Sequence, residues 1–188
     1  FASLDIRQES RKHEALVEEI ILHKAGQPAL DAYRLKGIHA KMEYLHSCYW
    51  NIDASITTDA TSTDIIQSMQ AIGKIQATNG TKACHRYVIS NSRHALDVFS
   101  ILILMKWIHG HDQQNTDIVP LFESIDDLGT AAEVMQELYS FAPYASHLKA
   151  RGQVQTVMLG FSDGTKHGGY LKANWSIYTC KEEVTATS

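Results

Sequence analysis

The chain has 188 residues, 44% hydrophobic and 20% charged, which is enough apolar material for one domain with a sizeable core and excludes a disordered or low-complexity protein. The formal net charge of -4 argues against a nucleic-acid binder, which would carry a basic face, and leaves room only for local basic sites that take small anions. Cys48, Cys84 and Cys180 are odd in number, widely spaced and without a CxxC pair, so neither a zinc site nor a disulfide framework is indicated and a reducing cytoplasm is the expected compartment. The longest apolar run, Val98 to Met105, is followed directly by Lys106 and falls far short of the ~18 residues of a membrane span, so no membrane partner is expected.

The sequence enters Leu4-Asp5-Ile6-Arg7-Gln8-Glu9-Ser10 from Phe1 with no leader, and the expectation is a piece of a larger protein. Leu4 to Ile6 reads as the end of a strand, with Arg7 and Gln8 just past it. Ser10 is placed to cap a helix in which Ala15, Leu16, Ile20 and Ile21 recur at helical spacing, and Gly26, Gln27 and Pro28 end it. From Asp31 to Asp53 the pattern is helical, with Leu35, Ile38, Met42 and Leu45 on one stripe. His39 and His46 lie about two turns apart on that helix and read as structural rather than as metal ligands. Ser55 to Ser62 reads as a loop, after which Thr63 opens a helix carrying Ile65, Ile66, Met69, Ile72 and Ile75 that stops at Asn79-Gly80.

Arg86 to Ser90 is the second strand. Asn91-Ser92 is expected to cap the next helix, whose Ala95, Leu96, Val98, Phe99, Leu102, Ile103 and Ile108 are apolar nearly all round and so call for burial on most sides. After a polar loop from Gly110 to Asp117, Ile118 to Glu123 forms a third strand ending in a carboxylate, and Ser124, Asp126 and Asp127 open the following helix, as the helix dipole prefers. Val154, Val157, Met158, Leu159 and Phe161 suit a fourth strand buried on both faces. The polar, glycine-rich Ser162-Asp163-Gly164-Thr165-Lys166-His167-Gly168-Gly169 follows as a turn, before a helix from Tyr170. Such a turn brings a carboxylate, an ammonium and an imidazole to a helix N-terminus, where anions and metal-bound phosphates are favoured. Standing alone it would read as an ordinary connecting loop.

The alternation of strand and helix implies an α/β fold with about four parallel strands joined by right-handed crossovers. Arg7, Asn91, Glu123, and Asp163 with Lys166 each fall at a strand's C-terminal end, which is the polarity of a (β/α)₈ barrel. The expected fold is therefore a partial (β/α) barrel with a large helical content, residues 1–188 forming a single domain. A flavodoxin-like sheet alternates in the same way, but the GxGxxG and GxxxxGK[ST] phosphate fingerprints are both missing.

Four stretches carry a resemblance: LDIRQES followed by His13, RYVISNSRHALDV, VPLFESIDDL, and LGFSDGTKHGGYLKANWSIY. Together they resemble phosphoenolpyruvate carboxylase, a mostly helical enzyme built around a central eight-stranded barrel. The resemblance implies a parent enzyme that forms oxaloacetate and phosphate from phosphoenolpyruvate and bicarbonate, using Mg2+ or Mn2+, and that is a homotetramer. It makes Glu123 and Asp163 the metal ligands, and Arg7 and Lys166 the catalytic and substrate-binding cations. The family usually has aspartate where this chain has His167, which alters the charge of the site. The family's His-Pro-Thr-Glu segment and Gly-Arg-Gly-Gly loop are absent from the sequence, so the chain on its own is expected to be inactive. Half a barrel leaves open edges and an uncovered apolar interior, so it is also expected to self-associate. A reading from another class is a non-catalytic, barrel-derived domain that binds an anion or a protein partner, and His167 favours it.

Overall fold

Four strands, β1 (Asp5–Glu9), β2 (Arg86–Ser90), β3 (Asp117–Phe122) and β4 (Met158–Leu159), run parallel and side by side in the order of the sequence. They belong to a computed structural model that describes residues 5–110 and 115–187, without the side chains of Asp5 and His167. The α/β alternation read from the sequence is present, but the bounds of three strands differ from expectation, β3 being shifted by one residue so that Glu123 falls just past its end. β1 runs on through Gln8 and Glu9, which pair with Ile89 and Ser90, so Arg7 lies inside the strand opposite Val88 rather than just past its end. Leu4, read as part of the end of that strand, lies outside the described residues, as does most of the polar loop between Gly110 and Asp117. β4 is shorter than its apolar run: only Met158 and Leu159 pair, with Leu121 and Phe122. Val154, Met158 and Phe161 are exposed rather than buried on both faces. Among the described residues no strand lies beyond β4, so that edge of the sheet has no strand neighbour, as expected from the sequence.

The helices explain why this sheet is buried where it is. α1 (Ser10–Ala25) places Leu16, Val17, Ile20 and Ile21 on one buried face. Its first residue does not cap it; the Ser10 hydroxyl donates to the Asn91 carbonyl at 2.7 Å and ties the helix to the end of β2. Gly26 closes α1 with φ 82°, its amide donating to the Leu22 carbonyl, a conformation glycine adopts without Cβ strain. The single helix expected across residues 31–53 is two, α2 (Gln27–Arg34) and α3 (Ile38–Ser47). Leu35, assigned by spacing to the apolar stripe, stands in the break and is 90% exposed. α4 (Ala60–Asn79) is capped by Asp59, whose carboxylate accepts from the Ser62 amide at 2.8 Å, so it begins before Thr63, and it stops at Gly80 as read.

α5 (Ala95–His109) is apolar on every side, and Ala95 through Met105 are all buried. Asn91 and Ser92 do not cap it. The Asp97 carboxylate does, accepting from the backbone N–H groups of Arg93 at 2.9 Å and His94 at 3.3 Å, while Asn91 turns the chain out of β2 with φ 55°. Phe99 meets Phe141 edge to face with ring centroids 4.9 Å apart, and Trp107 packs on Trp50 and donates its indole N–H to the Cys48 carbonyl at 3.0 Å. α6 (Ile125–Ser140) opens at Ser124, Asp126 and Asp127 as read, and the structure adds a reciprocal pair of hydrogen bonds between Ser124 and Asp127; α7 (Ala142–Ala150) and α8 (Ser162–Ala186) follow. Ile6, Tyr87, Ile89, Ile118, Phe122 and Leu159 join the helices in the main core, whereas Val88, Val119 and Leu121 form a small second cluster. Strand alternation puts those two sets on opposite sheet faces. The three cysteines are buried free thiols, Cys180 being pushed up to about 11 chiefly by that burial. No described helix is long and apolar enough to cross a membrane.

Two histidines are locked inside this core. His13 bridges the Glu9 carbonyl at 2.9 Å and the Tyr87 hydroxyl at 2.7 Å, and burial lowers its pKa to about 4. His147 is 3% exposed, its Nδ1 has no hydrogen-bond partner, and burial, reinforced by the Arg151 charge, lowers it to about 4 as well. Because each binds a proton more readily unfolded than folded, the unfolded state takes up protons first as pH falls from 6.5 toward 4. Stability is therefore present in full above that window and lost on acidification, by at most about 1.4 kcal/mol per pH unit per histidine. Melting temperature measured from pH 7 down to 4.5 should fall, and less steeply in His147→Gln. A parallel slope in that variant counts against the assignment.

Candidate active site

Side chains from β1, the end of β3 and the segment beyond β4 form one row of charges. Glu123 follows the last residue of β3, and Asp163 stands in the first turn of α8, just beyond β4. Arg7 reaches Glu123 from β1, with β2 between them, and their side chains form an ion pair. Neighbouring strands lie about 4.8 Å apart, so a side chain on β1 must span roughly two strand spacings to meet one on β3. Arginine is long enough; aspartate or serine at position 7 would not be. Lys166 pairs with Asp163 at 2.8 Å, one turn along the same helix. The order in space is cation, carboxylate, carboxylate, cation. Thus the structure brings together all four side chains singled out in the sequence: Arg7, Glu123, Asp163 and Lys166.

The two inner carboxylates interact. Glu123 is held above the usual carboxylate range, first by burial, against the lowering pull of Arg7, and further by a hydrogen bond and charge from Asp163. Its side chain is only 18% exposed, whereas Arg7 is 56% exposed. Lys166 is raised by its bond to Asp163 and the carboxylate's charge. Each cation thus lies on the solvent side of a carboxylate that is costly to leave unpartnered.

The segment carrying Asp163 is not the open turn read from the sequence. Residues 162–168 are helical, and α8 breaks only at Gly169, whose φ of 76° and ψ of 166° are non-helical. The polar run winds because its side chains satisfy it locally: the Thr165 hydroxyl donates to the Phe161 carbonyl at 2.8 Å, and Lys166 to Asp163. The His167 side chain, the departure noted in the sequence, lies outside the described residues.

Two residues given no role in the sequence, Glu9 and Gly160, help to build the row, together with Asn91 at the end of β2. The Asn91 amide donates to the Glu9 carboxylate at 3.2 Å, locking the ends of β1 and β2 together behind Arg7. Gly160 donates its amide to the Phe122 carbonyl at 2.7 Å and so fixes the chain between β4 and Asp163 beside Glu123. Glu9 and Gly160 both lie inside the stretches that carry the resemblance, LDIRQES and LGFSDGTKHGGYLKANWSIY, and that membership is the signal that marks them.

Across residues 1–188 the chain matches the family model for phosphoenolpyruvate carboxylase. It belongs to the phosphoenolpyruvate carboxylase family. Relatives carrying that name include one from Corynebacterium diphtheriae, 35% identical over 94% of this chain, and one from Nitrosomonas eutropha, 34% identical over 98%. Another, from Gloeobacter violaceus, is 30% identical over 97%. The chain spans about one fifth of the length of these phosphoenolpyruvate carboxylases, 20% in each case.

The pair Glu123 and Asp163 offers hard oxygen donors side by side, which suits a divalent ion that takes one or two carboxylates and completes its shell with water and substrate. Among the described residues no group of three or more His, Cys, Asp and Glu side chains could hold a metal ion, so a site built here takes its remaining ligands from elsewhere.

The electrostatics can be tested without metal. In Arg7→Ala the Glu123 carboxyl should titrate at higher pH than in the unaltered protein, and in Asp163→Asn at lower pH, because the charges removed act in opposite senses. Carboxyl carbon NMR titration reads both; a Glu123 signal that ignores Arg7→Ala counts against the row described.

Proposed function

We propose that this chain supplies one wall of the active site of a phosphoenolpyruvate carboxylase that forms oxaloacetate and phosphate from phosphoenolpyruvate and bicarbonate. The observation that carries the reading is the row Arg7, Glu123, Asp163 and Lys166, drawn from β1, the end of β3 and the segment beyond β4 of one parallel sheet. Glu123 and Asp163 would hold Mg2+ or Mn2+, which when bound offsets negative charge on the reacting oxygens. Arg7 and Lys166 each pair with a carboxylate and are otherwise largely open to solvent. They are placed to turn onto the phosphate and carboxylate oxygens of incoming anions, Arg7 with a planar fork and Lys166 as a point charge. Burial around Glu123 lowers the local dielectric response, so these charges act more strongly there than in water.

The sequential order of the strands supports a partial (β/α) barrel. Right-handed crossovers that always step the same way place their helices on one face, whereas a flavodoxin-like sheet reverses its strand order. Alone the chain would not turn over, since it has neither the His-Pro-Thr-Glu segment nor the Gly-Arg-Gly-Gly loop. We assign the full-length protein to the cytoplasm and to a homotetramer on the same resemblance.

In the full-length protein, Arg7→Ala should lower turnover by about a hundredfold or more, the scale for losing a group that stabilises developing charge. Arg34→Ala, which removes only a surface pair with Glu18 at 2.6 Å, should leave turnover near normal. Equal rates in the two variants reject the role of Arg7. Steady-state assays coupled to oxaloacetate reduction measure both.

The isolated chain should self-associate, and its surface differs from the one expected. Val98 to Met105 is buried within the chain, while Leu171, Trp175 and Tyr178, spaced along one side of α8, are exposed together with Val154 at the β4 edge. An apolar patch of that kind favours a covering partner. Light scattering at tens of micromolar should report a species larger than one chain, and Leu171→Ser with Trp175→Ser should shift it toward the monomer. A monomeric unaltered chain rejects the idea.

A further inference from the structure

We infer that Gly160 is a positioning residue for Glu123, and that the absence of a side chain at position 160 sets how closely the two carboxylates of the site can approach; the inference rests on the metal-site reading proposed above. Gly160 lies directly against Glu123. A Cβ built on it would stand 3.0 Å from both Cα and Cγ of Glu123 and 3.1 Å from its Cβ. Those atoms are the root of the side chain and the backbone itself, not a flexible tip that can swing aside. Nor can the backbone of residue 160 retreat, since its amide is bonded to the Phe122 carbonyl at 2.7 Å, one residue before Glu123. Its φ lies outside the left-handed region, so alanine there meets no backbone strain. The demand for glycine is contact alone.

The neighbouring glycines provide an internal contrast. At Gly164 a Cβ would meet the Ala173 Cβ at 3.5 Å and the Glu123 carbonyl at 3.7 Å, which are ordinary contacts. At Gly168 it would overlap the Ile125 Cδ1, the movable end of a flexible side chain. Only at Gly160 does the added methyl press on a carboxylate-bearing residue at its base. Glu123 must then give by a few tenths of an ångström, away from Gly160 and from the segment that leads to Asp163, or the rung to Phe122 must lengthen. Either response changes the spacing of the two carboxylates and the hold of Arg7 on Glu123.

The test uses the full-length protein with Mn2+ as probe, bound in the absence of substrate and read by the electron paramagnetic resonance of the free ion. Gly160→Ala should weaken Mn2+ binding by about ten- to hundredfold, the range seen when groups that orient metal ligands are altered. Gly164→Ala should stay within about twofold, both variants keeping the circular dichroism of the unaltered protein. Melting temperatures of Gly160→Ala, Glu123→Gly and the double variant close a cycle that needs no metal: the loss caused by Gly160→Ala should shrink when the Cβ and Cγ of residue 123 are already gone, as coupled neighbours do. Unchanged Mn2+ affinity in Gly160→Ala overturns the inference and leaves the metal site standing. If the unaltered protein binds no Mn2+, the metal reading falls, and the melting cycle alone decides: a relieved loss upholds the contact between Gly160 and Glu123 as what positions that carboxylate, and an additive loss rejects it.

Discussion

The removal of α5 from water is the constraint on which the rest of this structure depends. A helix that is apolar on every side has no solvent face to offer, so other elements must close around it. The aromatic contacts follow from that need: Phe141 at the α6–α7 junction and Trp50 beyond α3 both dock on it, and the Ile52 amide donates to the Trp107 carbonyl while the Trp107 indole donates to the Cys48 carbonyl, tying residues 48–52 to the helix. With α5 fixed, β2 and β3 on either side of it in the chain are held parallel, and Ser90, Asn91 and Glu123 emerge at the same end. Burial of apolar area, at about 25 cal/mol per Å², thus sets the geometry on which the charged residues are mounted.

The charged row is the opposite kind of interaction. Two carboxylates in contact repel, and a partly buried Glu123 loses hydration as well. Surface ion pairs of this sort add little to folding, so the arrangement makes better sense as a binding surface than as a source of stability. The scaffold holds Glu123 and Asp163 near each other, and Arg7 and Lys166 offset the charge in the meantime.

Legibility in the sequence divided along these lines. The alternation of elements, the caps at Gly26, Gly80 and Ser124, and the all-round burial of α5 were readable because each rests on a local rule of spacing or conformation. The four site residues were found through motif resemblance, since nothing in the spacing from Arg7 to Glu123 says that a side chain crosses a strand to form a pair. The misreadings came from neighbours the local pattern cannot see. Leu35 fits the apolar stripe by periodicity but falls where the chain breaks before Gly37. The run from Val154 has the composition of a central strand but lies at an edge, and residues 162–168 have the composition of a loop but bond as a helix.

The brevity of β4 has its own consequence. Asp163 and Lys166 are carried by the segment anchored through only two paired strand residues, whereas Arg7 is carried by a strand paired along all five of its residues. One half of the row therefore stands on firm ground and the other on the part of the sheet with the fewest rungs, where local opening is easiest. A polypeptide that added itself beside β4 would stiffen the support of Asp163, and if the ion proposed above draws Asp163 toward Glu123, thermodynamic reciprocity requires that it strengthen that addition by the same factor. On that proposal, assembly and ion binding would be two readings of a single equilibrium.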